Sequence, residues 1–203
     1  MSQRGRPRAF NRDEALACAM QVFWKKGYEG ASLADLTDAM AINAPSLYAA
    51  FGSKAELFKQ AVEVYQANVG VQIWEALPQA ATAREGFTNF LKETALAYSQ
   101  VDQPHGCLIV LGALHGEQGS ESVCTLLREQ RLANVTKLRE RLEQGVRDGE
   151  LPTTVDCQQV AEFYATVQHG MSITARDGAS LEALMNTANA AMAGWDTLTS
   201  QGT

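Results

Sequence analysis

The 203-residue chain has no apolar run near the roughly 18 residues that a membrane-spanning helix requires. Its opening stretch, MSQRGRPRAF, is basic and lacks the apolar segment of a secretory signal. A cytoplasmic protein, not associated with a membrane, is therefore expected. Cysteine is sparse: Cys18, Cys107, Cys124 and Cys157 stand apart with no CxxC pair, which favours free thiols over a disulfide framework. The chain contains no Gly-rich phosphate loop, no nucleophile elbow and no HExxH. Neither an enzyme nor a cofactor is expected. His105, Cys107, His115 and Cys124 match no compact zinc spacing, so no metal site is assigned. Strand signals never persist beyond a few residues, and neither repeats nor low-complexity linkers occur.

What remains is an all-α chain, long enough for one substantial core or a small and a medium domain. Positive charge is also scarce. Seventeen Lys and Arg face 23 Asp and Glu, a net charge of −6, but the two signs are segregated. Residues 1–60 hold eight basic and six acidic side chains, and residues 61–203 hold nine and seventeen. A mildly basic head on an acidic body suits a head that meets phosphates and a body that turns away from them.

The stretch Ser32 to Phe51, SLADLTDAMAINAPSLYAAF, reads as two short helices joined by a tight turn. Leu33, Leu36 and Met40 share one face of the first helix, and Ser32 precedes it as a cap. Ala41, Ile42 and Asn43 form the turn. Asn43 caps the second helix, whose first turn accommodates Pro45 because an N–H there has no helical partner. Leu47 and Phe51 turn inward, leaving Asn43, Ala44, Ser46, Tyr48 and Ala49 outward. That face is nearly uncharged and carries short hydrogen-bonding groups, which suits a DNA major groove. Upstream, Arg4, Arg6 and Arg8 in RGRPR form a basic arm suited to a minor groove or to phosphates. A first helix opens at Asn11-Arg-Asp-Glu14, a capping-box pattern, and ends at Gly27.

Residues Ile42 to Lys54, INAPSLYAAFGSK, resemble the recognition-helix signature of TetR-type transcriptional regulators, and the likeness extends upstream to Ala15. The resemblance implies an N-terminal helix-turn-helix (residues 32–51) within a DNA-binding domain of residues 9–69, preceded by an arm of residues 1–8. It implies a helical effector-binding and dimerisation domain over residues 70–203. It also implies that Lys54, opening the next helix, contacts the DNA backbone. With it, the candidate DNA contacts are Arg4, Arg6, Arg8, Ser32, Asn43, Ala44, Pro45, Ser46, Tyr48 and Lys54, with Tyr48 reaching a phosphate. Ala50 departs from the family, which usually carries His, Tyr or Asn there, so one common contact is missing.

The body pattern predicts helices over 54–77, ended by Pro78, then 84–100, 107–114, 121–147, 156–175 and 181–198. Gly106-Cys107-Leu108, Asp148-Gly149-Glu150-Leu151 and GMSITARDG (170–178) resemble the bodies of a TetR subgroup. In that family the last two helices pair across a homodimer, for which Gly170, Ala175, Ala188, Ala191 and Ala193 offer small side chains. The dimer would read a palindromic double-stranded operator. The family body also holds a small-molecule pocket whose filling releases DNA. Candidates to line it are Trp74, Phe87, Phe90, Tyr98, Cys107, Leu111, Phe163, Tyr164, Val167 and Gln168, a set that suits an apolar or aromatic effector. Cys107, near a helix N-terminus and His105, carries an alternative reading: a thiol that senses electrophiles or oxidants, with Cys124 as a resolving partner. A third reading, a helical dimer acting only in protein interaction, predicts no salt-dependent DNA binding.

Overall fold

The structure, a computed structural model, describes residues 11–114, 116 and 120–200. The described residues form helices and connecting turns without a strand, and no helix among them is long and apolar enough to cross a membrane. In the head, α1 (Arg12–Gly30) and α3 (Ala44–Phe51) pack against α4 (Lys54–Tyr65), and α2 (Leu33–Met40) packs against α1 and α3. Phe23, Tyr28 and Phe58 meet ring to edge at 4.9 and 5.2 Å, and Leu36, Leu47 and Leu57 are fully buried beneath them.

Asn11 caps α1 by accepting from the amides of Asp13 and Glu14. The reciprocal box lies instead at Ser32, whose hydroxyl accepts from Asp35 N while the Asp35 carboxylate accepts from Ser32 N. Gly27 has φ +72° and ψ 174°, so α1 kinks there and resumes for one turn to Gly30. The positive φ favours glycine; the extended ψ, in place of a left-handed stop, turns Tyr28 N toward Gly112 O at 2.8 Å.

Leaving the head, α4 does not run uniformly to Pro78. Residues Gln66–Gly70 widen into a π-helical segment before α5 (Val71–Gln79), which accommodates Pro78 in its last turn. The body continues with α6 (Ala83–Tyr98), α7 (Leu108–Leu111), α8 (Glu121–Arg147), α9 (Cys157–Arg176), α10 (Leu181–Ala193) and α11 (Trp195–Ser200). Two further sequence expectations are corrected. The apolar run after Cys107 is helical only to Leu111, because Gly112 turns its carbonyl to Tyr28. The final helix breaks at Gly194.

α6 lies against α5 and α10, and α8 against α9. Phe87, Tyr164 and Trp195 pack together between α6, α9 and α11 with centroids 4.9 to 5.8 Å apart. Ala175, Ala188 and Ala191 are buried in this intrachain core, so of the five small residues considered for helix pairing only Gly170 and Ala193 face outward. The outer side of α9 and the start of α10 instead expose Phe163, Ile173 and Leu181.

Candidate nucleic-acid interface and cavity

The turn between α2 and α3 is set by Ala41, a non-glycine residue at φ +53°. It lets Ile42 N reach Thr37 O at 3.1 Å and aims α3 away from α2. Asn43 then caps α3, accepting from Ser46 N at 2.9 Å, so its amide NH₂ is the group left to donate outward. Leu47 and Phe51 anchor α3 inward; Asn43, Pro45, Tyr48 and Ala49 are exposed, and Ala44 and Ser46 are half-buried. Tyr48 exposes 48% of its surface and is the one large side chain presented by α3. Lys54 opens α4 with its Nζ 4.5 Å from the centre of the Tyr28 ring. Burial lowers its pKa, and Glu29 opposes that shift. Arg12, unassigned from sequence, stacks over Phe51 at 4.7 Å and donates to Gln60. Ser32 is engaged in its capping box, donating to Asp35 at 2.7 Å. Lys26, 2.6 Å from Asp35, together with Ser32, holds that carboxyl down to about 2. Arg4, Arg6 and Arg8 lie outside the described residues.

The body contains a cavity of about 820 Å³ between the π segment, α5 and α8. Of the ten residues proposed from sequence, Trp74, Tyr98, Cys107 and Gln168 line it. The other six lie off its lining: Phe87 and Tyr164 fill the aromatic core, Phe90 stacks behind Trp74 at 5.1 Å, and Phe163 is 38% exposed, while Leu111 and Val167 pack partly buried against the core. Tyr65, Ile73, Asn134 and Arg141 are lining residues that sequence reasoning missed. A signal for two of them existed. Asn134, Leu138, Arg141 and Gly145 recur at four, three and four residues on the buried stripe of α8, where a polar side chain needs a reason.

Cys107 forms part of the cavity wall beside the Tyr65 and Tyr98 phenols. Burial first, and then the neighbouring thiol, push both phenols well above their usual range, so both stay protonated donors. Arg131 donates to Ile109 O at 2.9 Å and lies in the field of both Cys107 and Cys124. Among the described residues no three His, Cys, Asp or Glu side chains converge on a point that could hold a metal; His115 lies outside those residues.

The segment 105–112 is also the bridge to the head. Trp24 Nε1 donates to Gly106 O at 2.9 Å, and Tyr28 N to Gly112 O at 2.8 Å. Arg176, at the end of α9, donates to Trp24 O, Lys25 O and His105 O at 2.9, 3.1 and 2.8 Å. Cys107 N donates to Ser172 Oγ at 2.8 Å. A Cβ on Gly106 would stand 2.5 Å from Ser172 O, which fixes how closely this segment and α9 approach. One short segment therefore forms cavity wall on one side and holds the end of α1 on the other.

Comparison with known proteins follows the same lines. The family of bacterial regulatory proteins, tetR family, matches residues 15–61. The HTH-type transcriptional repressor ComR of Escherichia coli (strain K12) is 34% identical over 196 residues, spanning 96% of this chain and 93% of that protein. The repressor BdcR of the same organism is 33% identical over 190 residues, 94% of this chain and 90% of that protein. The solved structure of a cysteine mutant of the TetR family regulator CifR, complexed with 26-base-pair operator DNA, matches with a TM-score of 0.91 and 46% identity. It covers 94% of this chain and all of that one.

Proposed function

The chain belongs to the TetR family of bacterial regulatory proteins, and from that premise we propose that it is a cytoplasmic repressor. As a homodimer it binds a palindromic operator, and a small molecule filling the body cavity releases it. The DNA-reading unit is residues 9–69 behind the arm of residues 1–8, and the effector and dimer unit is residues 70–203; the boundary falls within the π segment. Tyr48 donates to a phosphate, Asn43 to Ser46 approach base edges, and Lys54 neutralises the backbone beside them. Ser32 contributes by fixing α2 and a phosphate approach at its N-terminus. Arg4, Arg6 and Arg8 add phosphate contacts. Phe163 and Ile173, with Gly170 between them on one face of α9, and Leu181 at the start of α10, are the apolar surface that a second copy covers.

The observation that carries this reading is the shared segment 105–112, cavity wall and α1 anchor at once. A molecule pressing on Cys107 and Ile109, or on the π segment, tilts α1 and α4 together. The two α3 helices then no longer match both half-sites, a population shift set by the ligand's differential affinity for the two arrangements. Selection of bound sequences from random duplex DNA at two salt concentrations tests it. An enriched palindrome is expected; binding without enrichment that vanishes steeply with salt would reduce the head to an electrostatic patch.

A second reading is favoured by the position of Cys107 on the cavity lining. Covalent modification of its Sγ by an electrophile or oxidant places the added atoms inside the cavity, so it substitutes for a bound effector. Release by electrophiles that persists unchanged in Cys107→Ser removes this reading.

A further inference from the structure

The charged groups around the cavity fall into two sets. Glu75, Glu140 and Arg147 are exposed and Glu143 half-buried, so they stand at the mouth, where opposite charges offset one another and water screens them; Lys137, also exposed, holds its Nζ 5.1 Å from the centre of the Trp74 ring. Arg141 is different. It is only 6% exposed, and it is the one formally charged side chain of the lining that is buried. Its Nη2 lies 3.6 Å from Glu150 Oε1, a carboxylate that also accepts from Ala83 N. Its Nε and Nη1 are buried with no hydrogen-bond partner among the described residues.

A guanidinium carries five N–H donors in a planar fork. Leaving two of its nitrogens unpaired inside the protein forfeits the hydration they had in water, which makes this the least satisfied charge around the cavity. Glu150 at 3.6 Å offsets part of that, from one side only. The remaining side chains at this depth are neutral donors and acceptors: Tyr65, Tyr98, Asn134 and Gln168. Trp74, Ile73 and Leu77 supply apolar wall. The deep end thus combines an under-coordinated cation with hydroxyl and amide groups beside an aromatic surface.

We propose that the effector is an organic anion, an amphipathic molecule whose acidic group pairs with Arg141 while its aromatic or apolar body lies against Trp74 and the two tyrosines. This rests on the cavity being the effector site, and it adds an acidic group to the apolar or aromatic effector expected from the sequence. Pairing with a fixed fork is directional, so the acid sets the ligand's orientation and the apolar end is carried toward the wall formed by Cys107 and Ile109.

Two fluorescent probes that share a ring system test it: anilinonaphthalene sulfonate and the uncharged phenylnaphthylamine. Shielding of Cys107 from iodoacetamide, read by mass spectrometry at that residue, places each probe in the cavity. The sulfonate is expected to bind at least about tenfold more tightly than the neutral probe. Arg141→Met should bring it down to the neutral probe's affinity while leaving the neutral probe unchanged, which also reports that the variant is folded. Arg141→Lys should keep part of the difference. Equal affinities in the unaltered protein overturn the proposal without any variant, and so does sulfonate binding that survives Arg141→Met. Shielding by the neutral probe alone overturns it while the cavity reading stands. Shielding by neither probe overturns both.

Discussion

The head and the body use aromatic side chains in opposite ways. In the head, Phe23, Tyr28 and Phe58 close on one another and join α1 to α4 without a gap between the rings. In the body the rings divide. Phe87, Tyr164 and Trp195 form a packed side, while Trp74 and Tyr98, joined by Tyr65 from the end of α4, border about 820 Å³ of open space. A surface that reads DNA must hold its side chains in fixed register, and filled cores do that. A receptor must leave a volume unfilled, forgo the contacts that would have occupied it, and surround it with groups a ligand can satisfy.

The strongest attempt to break this contrast compares one truncation in each region. Phe58→Ala removes a fully buried ring from the head and should cost about 3–5 kcal/mol in chemical denaturation, with loss of operator binding. Ile73→Ala only enlarges a space that is already open, so it should fall at the low end, about 2 kcal/mol, with DNA binding retained. Equal losses would mean that the body is packed as tightly as the head.

Arg176→Ala sharpens the comparison at the junction. It deletes three hydrogen bonds from a charged donor, two of them to the end of α1. A loss of about 1–2 kcal/mol in stability is expected, since the side chain is partly solvated. The larger consequence is functional: the head should bind its operator while responding weakly to whatever fills the cavity. Unaltered ligand release in this variant would move the coupling to the π segment.

The head was far more legible in the sequence than the site in the body. Helix caps are local chemistry, so Asn43 and Ser32 announced α3 and α2 within a few residues of their effects. Recognition helices are short and surface-bound, and Leu47 and Phe51 fix their orientation by spacing alone. The cavity depends on side chains separated by more than 100 positions, from Tyr65 to Gln168. Aromatic content pointed to Trp74 and Tyr98 but equally to Phe87 and Tyr164, because spacing does not distinguish a ring that faces a void from one that faces another ring. The π segment had no signature beyond Gly70. The Arg176 bridge was invisible for a different reason: its acceptors are backbone carbonyls, which any sequence supplies.

A smaller effect separates cap from contact in the head. Ser32→Ala removes the acceptor for Asp35 N and one partner of the Asp35 carboxylate. The expected loss is about 1 kcal/mol, typical of a helix N-cap. Operator affinity should fall by little more than that destabilisation explains; a far greater fall would make the hydroxyl a direct contact.

Acid titration gives the smallest effects and the cleanest separation of the two regions. His169, on α9, has its pKa lowered from 6.5 by burial and by Arg131. The unfolded chain therefore takes up a proton at a pH where the folded body does not, and stability declines as pH falls below about 6.5 until the folded value is passed. Asp35 behaves with a different window. Its carboxyl is held at about 2, against an ordinary 3.8, by Lys26 and Ser32, so its contribution is complete above that ordinary value and is lost as pH falls through about 2. The body should consequently begin to weaken before α2 does. Stability curves from pH 7 to 2 should show an early decline that His169→Gln removes and a late one that Asp35→Asn removes. A late decline left intact by Asp35→Asn would assign the head's acid sensitivity to another carboxylate. An early decline left intact by His169→Gln would do the same for the body, and the order of the two windows would then no longer distinguish the regions.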